Sequence, residues 1–255
     1  MIGLFIIAIF PFLLSVYLKA KSNEKYALWL IDFTKVKSME EVFKNGTLSI
    51  GFIGLSEAFE LIFGEKFFAS EKNHEIAINL VKFMREIIDG YRKQYHMNFT
   101  LLATSAEFIS GRFPNVDIQT FQHPLIEKGY YTNSFHVDVD SGLNPFDKLK
   151  FEGPFHKYSN GGCISYIEFK SAPLSNTEAI HELVESAVKY NVNYLGFNFP
   201  MDRCLDCGAT GTFDNCEKCG SKKIQRIRRV SGYLEELDFF TPGKKAEVAH
   251  RKPNV

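Results

Sequence analysis

The chain has 255 residues, 45% hydrophobic and 24% charged, enough to bury a sizeable core in one large or two small domains. Its 30 basic and 30 acidic side chains cancel, which removes any global pull toward nucleic acid, membrane or acidic partners. Twenty-five Phe residues exclude a disordered chain.

Residues 1–18, MIGLFIIAIFPFLLSVYL, carry no charge and are followed by Lys19 and Lys21. Their length and polarity match a short membrane anchor. Pro11 in the middle, the missing basic leader and the missing cleavage motif weigh against one. A buried strand-and-helix segment, or an odd start to an incomplete reading frame, is the favoured reading. Thr47 to Leu55 is β-branched and apolar and predicts a buried strand; Glu57 to Phe63 predicts a short helix stopped by Gly64. Ser70 opens a long amphipathic helix to about Tyr95, with Ile76, Leu80, Met84, Ile87 and Tyr91 on one face.

Asn98 to Ala103 predicts another strand. Thr104-Ser105-Ala106-Glu107 follows, an S/T-x-x-E pattern suited to a helix N-terminus. Tyr131 to Asp138 and Cys163 to Phe169 predict further strands. Ser175 with Glu178 caps a helix carrying Ile180, Leu183, Val184, Ala187 and Val188, and Tyr194 to Phe199 predicts the strand after it. Residues 163–199 thus form a βαβ unit, and the fold class is α/β. After Pro200 the chain turns Gly-rich and Cys-rich, which marks a small C-terminal module.

Four of the five cysteines fall in that module. Cys204-Leu205-Asp206-Cys207-Gly208 and Cys216-Glu217-Lys218-Cys219-Gly220 are matching knuckles, with eight residues between Cys207 and Cys216. Each sets two sulfurs around a tight turn, and four such sulfurs make a closed tetrahedral set that suits a structural Zn²⁺. Such thiolates persist in a reducing compartment, which favours the cytoplasm. The basic run Lys222, Lys223, Arg226, Arg228 and Arg229 leaves open a zinc-ribbon module that binds nucleic acid.

Arg228-Arg229-Val230-Ser231-Gly232-Tyr233-Leu234 lies directly behind the knuckles, with Gly232 thirteen residues after Cys219 and 23 from the C-terminus. Upstream stand Gly46-Thr47-Leu48-Ser49-Ile50-Gly51-Phe52-Ile53-Gly54-Leu55, Leu101 to Thr104 with Ala106-Glu107, and Ser110-Gly111-Arg112-Phe113. Tyr130 to His136, Asn160-Gly161-Gly162 with Ile164 to Glu168, and Asn198 with Pro200 and Asp202-Arg203 complete the set. In this order, over residues 40–245, they resemble the C-terminal part of class III (anaerobic) ribonucleoside-triphosphate reductases.

The resemblance implies a ten-stranded α/β barrel of the glycyl-radical type. It divides the chain into a divergent apolar segment (1–39), a partial barrel (40–200) and a zinc and radical domain (201–255). It implies Zn²⁺ on Cys204, Cys207, Cys216 and Cys219, and a glycyl radical at Gly232, made by a separate iron–sulfur, S-adenosylmethionine-dependent activase through a 5′-deoxyadenosyl radical. The turn Thr104, Ser105, Ala106 and Glu107 corresponds to the family's substrate-phosphate loop; an ordinary capped helix is the alternative. Ribonucleoside triphosphates are the implied substrates, a homodimer the implied complete assembly, and neither stable nucleic-acid nor membrane partners are expected.

The family's barrel cysteine and N-terminal half lie upstream of anything matched. Full activity is therefore expected to need a separate polypeptide, and an inactive truncated fragment is the alternative. Cys163, the one non-zinc cysteine, reads as a packing residue rather than the thiyl group.

Overall fold

A computed structural model describes residues 5–6, 46–174 and 176–255. Of the apolar opening segment only β1 (Phe5–Ile6) falls within these residues, paired antiparallel with Gly51 and Ile50 of β2 (Thr47–Phe52). β2 lies parallel to β3 (Asn98–Ala103), with Thr47 opposite Asn98 and Phe52 opposite Ala103. Parallel neighbours need a crossover. Here it is made by α1 (Leu55–Phe63) and α2 (Glu71–Tyr95). Gly64 ends α1 at φ 75°, and the Ser70 hydroxyl caps α2 by accepting from the Asn73 N–H.

The buried stripe of α2 differs from the expected one: it is His74, Ala77, Val81 and Ile88, whereas Ile87 and Tyr91 face outward. Ile76, Leu80 and Met84 pack at its flank. Small Ala77 and the His74 ring, which contacts the Phe151 carbonyl at 2.8 Å, let α5 (Pro145–His156) approach on that side. The core there joins Ile50, Phe52, Phe59, Phe67, Leu101, Phe135 and Phe155, with Phe135 stacked on Phe155 at 5.2 Å.

Beyond β3 run α3 (Ile109–Asp117) and α4 (Pro124–Glu127). Residues 131–138, expected as a strand, form a loop touching the sheet through one bridge, Ile53 to Asn133. Buried carboxylates replace its ladder partners: Glu57 accepts from the Thr132 N–H at 2.8 Å, and Glu152 from the Val137 N–H at 3.2 Å. Gly161 then donates to the Leu101 carbonyl at 2.7 Å, so close that a Cβ there would stand 2.9 Å from that oxygen.

β4 (Ser165–Glu168), α6 (Thr177–Lys189) and β5 (Leu195–Asn198) make the βαβ unit read from the sequence, its strands parallel. The cap of α6 is Asn176, which accepts from the Ala179 N–H; Ser175 lies outside the described residues. Leu183 and Ala187 are buried on α6 with Ser186, while Val184 and Val188 are exposed.

The last sheet is antiparallel, in the order β7 (Thr210–Gly211), β6 (Met201–Cys204), β8 (Ile224–Arg229), β9 (Leu234–Glu236). A final helix, α7 (Pro242–His250), crosses α3 where Gly111 meets Gly243. A Cβ on Gly243 would lie 2.4 Å from the Gly111 Cα, so two glycines are what bring these backbones together. Among the described residues no helix is long and apolar enough to cross a membrane.

Candidate functional site

The two knuckles fold alike. Gly208 donates to the Cys204 carbonyl at 2.9 Å and Gly220 to that of Cys216 at 2.7 Å. Cys204 and Cys216 in turn donate to Ala209 and Ser221, each at 2.8 Å. Gly208 and Gly220 take φ 73° and 72°, the left-handed turn that leaves backbone N–H groups facing sulfur. The four sulfurs lie within 4.8 Å of one another, Cys204 and Cys219 at 3.6 Å and Cys207 and Cys216 at 3.5 Å. A tetrahedral ZnS₄ centre with Zn–S near 2.3 Å has S···S edges of roughly 3.8 Å, so the donor set fits the ion.

Backbone N–H groups of Cys207 and Asp206 draw the Cys204 thiol down to about 6. Cys219 also faces a backbone N–H, from Ser221, yet the neighbouring thiols push it up to about 12. Four sulfurs this close cannot all ionise without a cation among them.

β8 leaves the second knuckle at Ile224 and reaches the hairpin 230–233 at its other end. The cysteine cluster and the hairpin are thus separated by one strand, about 17 Å. The turn closes where the Val230 N–H donates to the Tyr233 carbonyl at 2.9 Å. Val230 and Ser231 are buried, whereas Gly232 is exposed and a Cβ on it would meet nothing within 4 Å. Nor does its backbone adopt the positive φ that favours glycine. Neither packing nor conformation demands glycine there.

The structure brings this hairpin onto the Thr104–Glu107 turn. The Ser231 hydroxyl donates to the Ser105 carbonyl at 3.0 Å, and the Tyr233 hydroxyl to Glu107 Oε2 at 3.2 Å. The turn forms no capping box: its helix begins only at Ile109, Thr104 Oγ1 accepts from Ala106 at 3.3 Å, and Glu107 reaches toward Tyr233. Ala106 sits at φ 43°, a left-handed conformation uncommon for a residue with a Cβ.

Sequence reasoning missed what holds the hairpin from beneath. Arg229 pairs with Glu168 at 2.5 Å and lies over the Tyr166 ring at 3.5 Å. Arg251, after α7, reaches the Arg229 and Val230 carbonyls at 2.8 and 3.2 Å. Tyr166, Glu168 and Arg229 also wall a cavity with Thr132, His136 and Lys148. Thr241-Pro242, a capping residue and a proline opening α7, was the available signal for the helix that delivers Arg251. Cys163 packs against the main core, and burial pushes its thiol up to about 11.

Four of the five side chains of the basic run make local pairs. Lys223 meets Asp206 at 3.3 Å, Arg226 meets Asp214 at 3.6 Å, and Arg228 meets Asp202 at 2.5 Å, beside the Arg229–Glu168 pair.

A sequence model of the anaerobic ribonucleoside-triphosphate reductase family matches residues 8–253. The reductase of that name from Salmonella typhimurium is 36% identical over 229 residues, which cover 84% of this chain and 32% of that protein. The one from Enterobacteria phage T4 is 32% identical over 226 residues, 83% of this chain and 35% of that one. A solved anaerobic ribonucleotide reductase superposes with a TM-score of 0.69 at 21% identity, over 81% of this chain and 34% of its own. The Thermotoga maritima enzyme with glycerol in the active site gives 0.65 at 21% identity, over 81% and 34%. At that identity the likeness shows the fold alone, which is α/β. The chain spans about a third of the length of the curated relatives it matches. By the family match across nearly its whole length, the chain belongs to the anaerobic ribonucleoside-triphosphate reductases.

Proposed function

We propose that the chain is the C-terminal, glycyl-radical-bearing part of an anaerobic reductase that converts ribonucleoside triphosphates to deoxyribonucleoside triphosphates for DNA synthesis. Residues 40–200 are its share of a ten-stranded α/β barrel, and 201–255 are the zinc and radical domain. Cys204, Cys207, Cys216 and Cys219 hold Zn²⁺, which at about 17 Å from the hairpin acts as a brace along β8. Thr104, Ser105, Ala106 and Glu107 receive the substrate phosphates.

Gly232 is the radical residue. An organic radical supplied by the S-adenosylmethionine-dependent activase takes one Cα hydrogen atom and becomes a closed-shell product; the unpaired electron left on Cα spreads into the flanking amides. An upstream cysteine then gives its S–H hydrogen to Gly232, and the thiyl removes the ribose 3′-hydrogen. Loss of the 2′-hydroxyl as water and reduction by formate or a thiol system complete the reaction. The cytoplasm suits both the thiolates and the substrate. Because the matched relatives are three times longer, the cysteine-bearing portion must come from another stretch of polypeptide, and the complete assembly is a homodimer.

The observation that carries this reading is the clasp of the hairpin on the turn, Ser231 on Ser105 and Tyr233 on Glu107. It sets Gly232 beside the turn assigned to substrate. Open space at its Cβ and an ordinary φ make Gly232 accessible and are compatible with a radical there. The test combines the chain with a polypeptide of the upstream two-thirds, the activase, a reductant and one ribonucleotide under anoxia. Deoxynucleotide is expected; its absence despite a measured glycyl radical would discard the assignment.

A further inference from the structure

We propose that Tyr166, seconded by Arg229 and Arg251, is a positioning residue that fixes the Ser231–Gly232 peptide plane and so, together with the Val230–Tyr233 turn bond, aims the Gly232 Cα–H. This rests on Gly232 being the radical residue. Three successive carbonyls at the hairpin accept side-chain donors. Arg251 Nη1 serves Arg229 at 2.8 Å and Nη2 serves Val230 at 3.2 Å. The Ser231 carbonyl takes two, the Tyr166 hydroxyl and Arg229 Nη1, the latter at 3.2 Å.

The donors are themselves held. Arg251 pairs with Glu247 at 2.7 Å, and Arg229 is locked between Glu168 and the Tyr166 ring. Tyr166 projects from β4 and is buried, so its hydroxyl has little freedom. Gly232, by contrast, is exposed, and no atom stands within 4 Å of where its Cβ would be. Its orientation is inherited from its neighbours. The peptide bond keeps the Ser231 carbonyl, the Gly232 nitrogen and the Gly232 Cα in one plane, so two donors on that oxygen fix where the Cα sits. A charge-assisted donor with a buried phenol is a strong clamp, and it acts on one of the two peptide units into which the unpaired electron would spread.

The test uses the full chain activated anoxically, with spins per chain and line shape read by electron paramagnetic resonance. Tyr166→Phe keeps the ring under Arg229 and removes only the donor. It is expected to lower radical yield about fivefold, the factor set by one lost hydrogen bond, and to broaden the signal. Tyr131→Phe removes a comparable hydroxyl bond, 2.7 Å to Asp117, away from the hairpin, and is expected to leave both readings unchanged. Arg251→Lys keeps a charge opposite Glu247 but cannot fork onto two carbonyls, and is expected to behave like Tyr166→Phe. Wild-type yield and line shape in both Tyr166→Phe and Arg251→Lys overturn the positioning role, as does an equal loss in Tyr131→Phe. A wild-type chain without any signal, under an activase that works on a full-length relative, overturns the Gly232 reading and this one with it.

Discussion

The parallel α/β region, residues 46–200, and the antiparallel sheet behind it are held together by different forces. The first buries Phe52, Phe59, Phe67, Phe135 and Phe155 about one apolar core. Among the described residues, those beyond 200 bury as apolar side chains only Cys204, Cys216, Val230 and Phe240. Their order comes instead from charge pairs such as Arg228–Asp202 and Lys244–Glu247–Arg251, and from four convergent sulfurs. A region without a core of its own is sensitive to metal and charge. A region with one is sensitive to volume. The perturbations that separate the two should therefore be different.

The largest effect is expected from the cluster. Cys216→Ser, or chelation, should strip the metal and open residues 201–236 to hydrogen exchange while 46–169 stay protected. Structural zinc contributes on the order of 10 kcal/mol in small modules, and little apolar burial compensates here. Full protection after metal loss would mean that the charge pairs suffice.

The converse comes next. Phe135→Ala empties a fully buried position against Phe155 and should cost about 3–5 kcal/mol in a denaturant melt, with metal content unchanged.

Acid should weaken both regions in separable windows. His156 Nδ1 accepts from the Asn193 N–H, so Nε2 carries the proton toward Ser165, and burial holds the ring down to about 4 from 6.5. The unfolded chain takes up that proton first, so this stability is complete above pH 6.5 and is lost as pH falls toward 4, a change on the order of 3 kcal/mol. His156→Gln should flatten the slope between these values. Burial raises Glu247, but Lys244 and Arg251 outweigh it and hold the carboxyl down to about 2. Its contribution, present above pH 4.5, should fade below that and be read as loosening of α7.

The smallest effect on stability belongs to Gly232→Ala. With open space at its Cβ and an ordinary φ, the change should stay within about 0.5 kcal/mol, while the radical signal disappears. A large destabilisation would restore a structural reason for the glycine.

Legibility in the sequence followed locality. Ser70 as a cap, Gly64 as a stop, strand β3 and the paired knuckles are set by residues a few positions apart and stand where the pattern put them, and β2 begins where expected but stops at Phe52, Leu55 opening α1 instead. Residues 131–138 alternate like a strand, but Glu57 and Glu152 take over the backbone donors from distant helices, which no local pattern reveals. The turn 104–107 reads as a capping box until Tyr233, more than a hundred residues later, claims the carboxylate. On α2 the pattern favours large Ile87 and Tyr91, whereas a buried histidine and a small alanine fit beside α5. The clamp of Tyr166, Arg229 and Arg251 joins three elements far apart in the chain and was invisible for the same reason.

The most direct measurement is electron paramagnetic resonance of the activated chain grown with ordinary glycine and with glycine deuterated at Cα. An unpaired electron on Gly232 couples to the one hydrogen left on its α-carbon. A doublet should therefore appear, collapse to a single line on deuteration, and vanish in Gly232→Ala. A doublet indifferent to both changes would place the radical elsewhere and contradict the role given to Gly232.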